Sequence, residues 1–338
     1  NFGSLNIDLV YQVDHIVRPG ETIASSEHQI FAGGKGANQS AALASAGAAV
    51  YHAGQVGKEG QWLIDKLAAL GVDMQHTLVG EIPTGHAIIQ VDGEGQNRIV
   101  LFPGANTQLQ RQAIDATLSQ FGTGDILLLQ NEINEITYII NEAKKRELSI
   151  CLNPAPFGPE VLDYPLAAID LLIVNESEAA GLAGASSQDR LLDALSQICP
   201  QAQIVLTLGA DGAHYRSPEV EFHQPAPRVQ AVDTTGAGDT FIGYFLQGLT
   251  AELTPPDAMA LGRLGDPLVI GELKDLVRVL IADSARGGDD GLHEICCAEA
   301  AARSRQVGSL RPASFFESMA VKTACFGEGC EAFFTRVA

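Results

Sequence analysis

Four short runs constrain this chain most: "DILLLQ" (125–130), "LSICLNP" (148–154), "DLLIVN" (170–175) and "QIVLTLG" (203–209). Each is apolar on successive rather than alternate residues, as in a strand covered on both faces. Helical stretches such as 134–146 and 188–198 lie between them, so the expected fold class is α/β with a buried parallel sheet. The runs end in the polar motifs "QNE", "NPAP", "NESE" and "TLGADG". Open α/β sheets hold their ligands at those strand ends.

The N-terminal third reads differently. Residues 1–34 predict strands, in "SLNIDLVYQVDHI" and the more polar "TIASSEHQIFAGG", separated by the turn "RPGE". "GANQSAALASAGA" (36–48) predicts a close-packing helix ended by Gly47, "AVYHAGQVG" a buried strand, and 60–72 a helix closed by Gly71. Residues 84–106 predict a β-hairpin with Asp92-Gly93 as its turn pair. Beyond residue 262 one helix is legible, at 272–282, and "HEICCAEAAARSRQ" is a candidate for another. No repeat or linker divides the chain.

Composition narrows the function. With 338 residues and 46% hydrophobic content, the chain suffices for one large α/β domain or two average ones. Its 21 Lys and Arg face 41 Asp and Glu, and a net charge of −20 would repel a phosphate backbone, so nucleic acid is not an expected partner. No apolar run approaches the roughly 20 residues of a membrane span, so no membrane partner is expected. The chain opens on Asn1 inside an apolar stretch, which predicts a few preceding residues, and no secretory leader is visible. The six cysteines do not form a disulfide framework, and C-x4-C at Cys325 and Cys330 is a poor zinc signature. Reduced thiols and a cytoplasmic location are expected.

Two glycine-rich stretches carry the chemistry. "GGKGANQS" (33–40) fails the P-loop pattern, because Gln29 and Gly36 stand where Gly and Ser or Thr belong. "GAGDTF" fails the dinucleotide pattern at Phe241. "TTGAGD" instead offers consecutive N–H groups at a helix start, a site for charge on a transferring phosphoryl group. Asp239 follows in the first turn, where a carboxylate either accepts a proton from an attacking hydroxyl or merely complements the helix dipole. Asn6 and Asp8 interrupt an apolar strand, where polar groups cost energy unless paired or used. Lys35 and Asn38 lie where the glycine-rich stretch runs into the first helix. Asn175 and Glu178 either share a face toward a hydrated Mg²⁺ or form a capping box.

The chain resembles the ribokinase family of carbohydrate kinases. The matching stretches are "GSLNIDLV", "GGKGANQSAALASAGA", "TGHAIIQVDGEGQNRIVLFPGAN", "LNPAP", "NESEA", "TLGADG" and "DTTGAGDTF", in the family's order over roughly residues 1–261. The resemblance implies one doubly wound αβα domain with a small β-sheet lid from residues near 8–32 and 84–103. That lid would close over the sugar and form a homodimer contact. It also implies sugar binding by Asn6, Asp8, Gly34, Lys35, Asn38 and Glu132. Asp239 would be the base that takes the proton from O5 of D-ribose, with Gly236, Ala237 and Gly238 as anion hole. Asn175 and Glu178 would support Mg·ATP, Thr207, Gly209 and Gly212 would form the nucleotide loop, and Asp233 and Thr235 would bind a monovalent cation, usually potassium. Residues 263–338 depart from the family, which has an Ala-rich helix and a short Gly-containing loop there; "CAEAAARSRQVGS" (297–309), with Gly308, is a candidate counterpart. The alternatives are a kinase for another sugar or a nucleoside, and a non-catalytic binder.

Overall fold

In the computed structural model, which describes residues 1–184, 188–226 and 236–264, the chain opens with β1 (Asn6–Gln12), β2 (Glu27–Gly33) and α1 (Lys35–Ser45). Next come β3 (Tyr51–Gly57), α2 (Gln61–Ala69), β4 (Asp73–Gly80), β5 (Gly85–Val91), β6 (Asn97–Phe102) and α3 (Arg111–Leu118). The apolar runs then appear as β7 (Ile126–Gln130), β8 (Ser149–Asn153), β9 (Leu171–Asn175) and β10 (Gln203–Thr207). They alternate with α4 (Ile136–Lys145), α5 (Glu176–Ala183) and α6 (Gln188–Ile198). β11 (Ala213–Arg216), β12 (Glu221–Gln224), α7 (Ala237–Thr250) and α8 (Pro255–Leu264) complete the described elements, all within one unit, Asn1–Ile281.

Strands β7 to β10 are parallel neighbours, and β11 and β12 extend the sheet antiparallel at one edge. On the other side Phe2 bridges Leu129 of β7 and Ala53 of β3, joining the parallel pair β3–β4. Successive residues of each run enter opposite layers, as the period of two in a strand requires. Leu129, Leu152, Leu172 and Ile204 face α3, α4, α5 and α6. Leu128, Cys151, Leu171, Ile173 and Val205 face α1, α2, α7 and α8. A fully buried Leu or Ile contributes about 1.5–3 kcal/mol relative to exposure, so the two layers hold the sheet from both sides. This is the expected αβα sandwich, with helices on both faces of a largely parallel sheet.

A separate four-stranded sheet, in the order β2-β1-β5-β6, stands on the segments expected for the lid. Its outer strand β6 is exposed along its whole length. The expectation of strands across residues 1–34 holds only for 6–12 and 27–33. The hairpin turn also differs. β5 and β6 are joined by a longer loop in which Asp92 Oδ1 accepts from Glu94 N and Gln96 N, and Gly95, at φ 77°, supplies the left-handed residue. One carboxylate capping two N–H groups favours this loop over a two-residue turn at Asp92-Gly93. The expected helix at 272–282 and the four C-terminal cysteines lie outside the described residues.

Candidate active site

The site is assembled where α1 and α7 begin. Gly34, at φ 94°, turns the chain out of β2 into α1. Lys35, Asn38 and Gln39 follow, and residues three and four apart share a helix face. Gly236, at φ 78°, performs the same turn into α7. Ala237, Gly238 and Asp239 thus occupy the first turn, where N–H groups have no intrahelical acceptor. α1 and α7 touch through small residues: a Cβ on Gly243 would fall 2.7 Å from Leu43 N and closer still to Ala42 Cβ. Asn38 lies one turn before Ala42, and Asp239 one turn before Gly243. The close approach therefore brings amide and carboxylate together.

Asp239 is only 6% exposed. Its Oδ2 accepts from Asn38 Nδ2 at 3.0 Å, its Oδ1 accepts from Gln39 Nε2 at 2.8 Å, and Lys35 Nζ is 4.0 Å from Oδ1. Asn38 Oδ1 is buried with no partner among the described residues, an acceptor suited to a hydroxyl. Burial works against the charge on Lys35, but the carboxylates of Asp239, Glu132 and Glu178 outweigh it and hold the ammonium above its ordinary pKa. Glu132, just beyond β7, accepts from Ser4 Oγ and from Lys35 N (2.9 Å). Burial pushes its carboxyl above the usual carboxylate range, against those hydrogen bonds and the Lys35 charge.

Asn6 and Asp8 are buried on β1, and glycines make room for them. A Cβ on Gly33 would collide with the Asp8 carboxylate, and one on Gly85 with Asn6 Oδ1 and Asn106 Nδ2. Asn106 donates to Asn6 Oδ1 at 2.7 Å and accepts from Leu5 N, which orients the Asn6 amide. A cavity of about 210 Å³ opens beside Asn6 and Glu132, lined also by Pro103, Asn106 and Tyr164. A larger open hollow of about 450 Å³ over α4 touches none of the expected site residues.

The expected nucleotide residues gather at neighbouring strand ends. Thr207 of β10 is paired with Asn175 of β9. Gly209 and Gly212, both at positive φ, shape the turn that follows, and a Cβ on Gly212 would meet Gln224 O. Asn175 and Glu178 form a full capping box at α5. Burial raises the Glu178 pKa, and Glu178 feels the charges of both Lys35 and Asp239, which links this cluster to the first. Asp233 and Thr235 lie outside the described residues.

Reading the sequence missed the polar residues behind Asp239: Gln39, Gln130, Asn153, Ser40 and His52, all buried. Their one signal is that amides and a histidine stand in stretches otherwise built to be buried. His52 Nε2 faces Gly3 O, which can only accept, so Nε2 carries the proton and Nδ1 accepts from Ser40 Oγ at 2.8 Å. Burial lowers the His52 pKa to about 3, only partly opposed by the bond to Gly3. The unfolded chain binds this proton below about pH 6.5 and the folded chain does not, so falling pH favours unfolding. Below pH 6.5, His52 should cost up to about 1.4 kcal/mol of stability per pH unit, fading near pH 3. Urea melts at pH 7, 6 and 5 check this: His52→Asn should show a shallower loss with acid than the parent, and parallel curves would refute it.

A family model described as pfkB family carbohydrate kinase matches residues 1–265. The chain is 35% identical over 270 residues to a ribokinase of Haemophilus influenzae, covering 77% of this chain and 88% of that one. It is 33% identical over 255 residues to a deoxyribokinase of Salmonella typhi, covering 72% and 82%. A solved Arabidopsis thaliana ribokinase, complexed with ribose and ATP, superimposes with a TM-score of 0.67 at 28% identity, covering 78% of this chain and 88% of that chain.

Proposed function

The chain belongs to the pfkB family of carbohydrate kinases, and on that premise we propose that it transfers the γ-phosphoryl group of ATP to the O5 hydroxyl of D-ribose, giving ribose 5-phosphate and ADP. The observation that carries this reading is the buried Asp239 carboxylate at the start of α7, held by two amides beside Lys35. Asp239 takes the proton of the attacking hydroxyl, and the N–H groups of Gly236, Ala237 and Gly238 face the charge on the transferring group. Asn6, Asp8, Gly34, Lys35, Asn38 and Glu132 hold the sugar; Thr207, Gly209 and Gly212 hold the nucleotide. Phosphoryl transfer needs mainly positioning and charge stabilisation, so this set requires no covalent nucleophile.

Mg²⁺ usually keeps several waters and takes only one or two protein carboxylates, travelling with the nucleotide phosphates. The donor set fits that habit. No group of three or more His, Cys, Asp or Glu able to hold a metal occurs among the described residues. Glu178, whose oxygens already accept from Asn175, retains lone pairs for bound water. Glu178 would therefore hold the ion through its hydration shell, oriented by Asn175, whose Oδ1 already accepts from Glu178 N and Ser177 Oγ, and the ion would neutralise phosphate charge. Asp233 and Thr235 are proposed to bind potassium, on the strength of the "DTTGAGDTF" resemblance. The four-stranded sheet is proposed as the lid and, through its apolar exposed strand β6, as a homodimer contact, in a cytoplasmic enzyme.

A coupled ADP-release assay tests the substrate. Turnover with D-ribose should exceed that with 2-deoxy-D-ribose, other pentoses and nucleosides, and should fall when potassium is replaced by tetramethylammonium. Preference for 2-deoxy-D-ribose would move the reading to the deoxyribokinase relative. Ribose binding without turnover on any sugar would leave a non-catalytic binder.

A further inference from the structure

We propose that Gln39 is a positioning residue for Asp239: its side-chain amide, fixed from both sides by a buried chain of amides, sets the rotation of the carboxylate. The proposal rests on the reading of Asp239 as the base. The χ2 torsion of an aspartate is soft, so a base at a helix start has no intrinsic orientation. Two donors on different oxygens define the carboxylate plane, Gln39 at 2.8 Å and Asn38 at 3.0 Å.

The direction of the Gln39 amide follows from two main-chain carbonyls. Asn153 Nδ2 donates to Ile173 O at 2.9 Å, so Asn153 presents Oδ1, an acceptor, to Gln39. At the other end, Asn1 Nδ2 donates to Gly36 O at 2.8 Å, so Asn1 presents Oδ1 to Gln130. Gln130 must then use Nε2, which also donates to Gln39 Oε1 at 2.6 Å. Both ends require the same Gln39 orientation: Nε2 toward Asn153 and Asp239, Oε1 toward Gln130. Gln39 is fully buried, both its N–H groups donate and its Oε1 accepts one bond. It reaches the reaction only through Asp239. Asn38 differs, since its Oδ1 is left for a ligand.

The test is a double-mutant cycle with the full chain, following kcat, ribose KM and ribose binding. Gln39→Met keeps length and removes the donor. It should lower kcat about 10- to 100-fold, the order of loss for a slightly misplaced reacting group, with ribose KM within about threefold. In an Asp239→Asn background, where radiolabelled phosphate transfer reads the residual rate, the same change should cost less than about twofold. Near-parent kcat in Gln39→Met, a rise in KM alone, or an equal loss in both backgrounds would overturn the proposal. If Asp239→Asn itself turned over normally, the base assignment would fall instead. Gln130→Met, which frees the Gln39 amide to rotate, carries the test if Gln39→Met does not fold. It should lower kcat several-fold at unchanged ribose KM, and parent kcat in that variant overturns the proposal as well.

Discussion

Asp239→Asn should lower kcat about 10³-fold, within the 10²–10⁴ range that a positioned general base contributes, while ribose still binds. That factor corresponds to about 4 kcal/mol of transition-state stabilisation. The loss has two sources. An amide cannot take the proton from the attacking hydroxyl, and it offers one acceptor where the carboxylate offers two. Asn38 Nδ2 and Gln39 Nε2 each donate to a different Asp239 oxygen, so one of them would face an NH₂ group. A buried donor left without a partner costs about 1–3 kcal/mol, so the variant should also melt earlier than the parent. Calorimetric ribose titration together with coupled turnover separates the two effects. Bound ribose with lost turnover identifies the base; turnover within tenfold of the parent would remove Asp239 from that role.

The sequence made the fold readable where one physical cause dominated. β7 to β10 are continuously apolar because helices cover both faces, and the helical stretches between them point to a parallel sheet. β11 and β12, "AHYR" and "EFHQ", escaped notice because a four-residue edge strand with polar residues resembles a loop. The hairpin turn departs from its dipeptide signal because Asp92-Gly93 does not register a carboxylate that caps two N–H groups further on. The site shows the same division. Gly34, Lys35, Asn38 and Asp239 stand in motifs whose glycines betray a backbone turn. Gln39, Asn106, Gln130 and Asn153 are ordinary amides in sequence and acquire meaning only from contacts across large separations, such as the 200 positions between Gln39 and Asp239. Hydrogen-bond geometry across a fold leaves no local trace in composition or period.

Gly243→Val should damage stability and catalysis together, because one contact serves both. A Cβ at Gly243 would fall 2.7 Å from Leu43 N and nearer to Ala42 Cβ, and neither is the far end of a flexible side chain. The helices must therefore part. Overpacking of this kind costs about 1–3 kcal/mol and occasionally more, whereas replacing Gly by Val within a helix returns only a few tenths. A net loss of about 2 kcal/mol in urea-melt stability is expected. The catalytic effect should be larger than that loss suggests. Asn38 and Asp239 are each one turn from the contact, so parting the helices stretches the 3.0 Å Asn38–Asp239 bond and the 2.8 Å Gln39–Asp239 bond. kcat/KM for ribose should fall about 10²-fold or more even where the protein remains folded, the penalty for moving a reacting group by about 1 Å. Gly243→Ala introduces the same Cβ without the branch and should show both effects more weakly, in the same order. A valine variant with parent stability and turnover would mean that α1 and α7 tolerate separation, and that the placement of Asp239 does not depend on their small-residue contact.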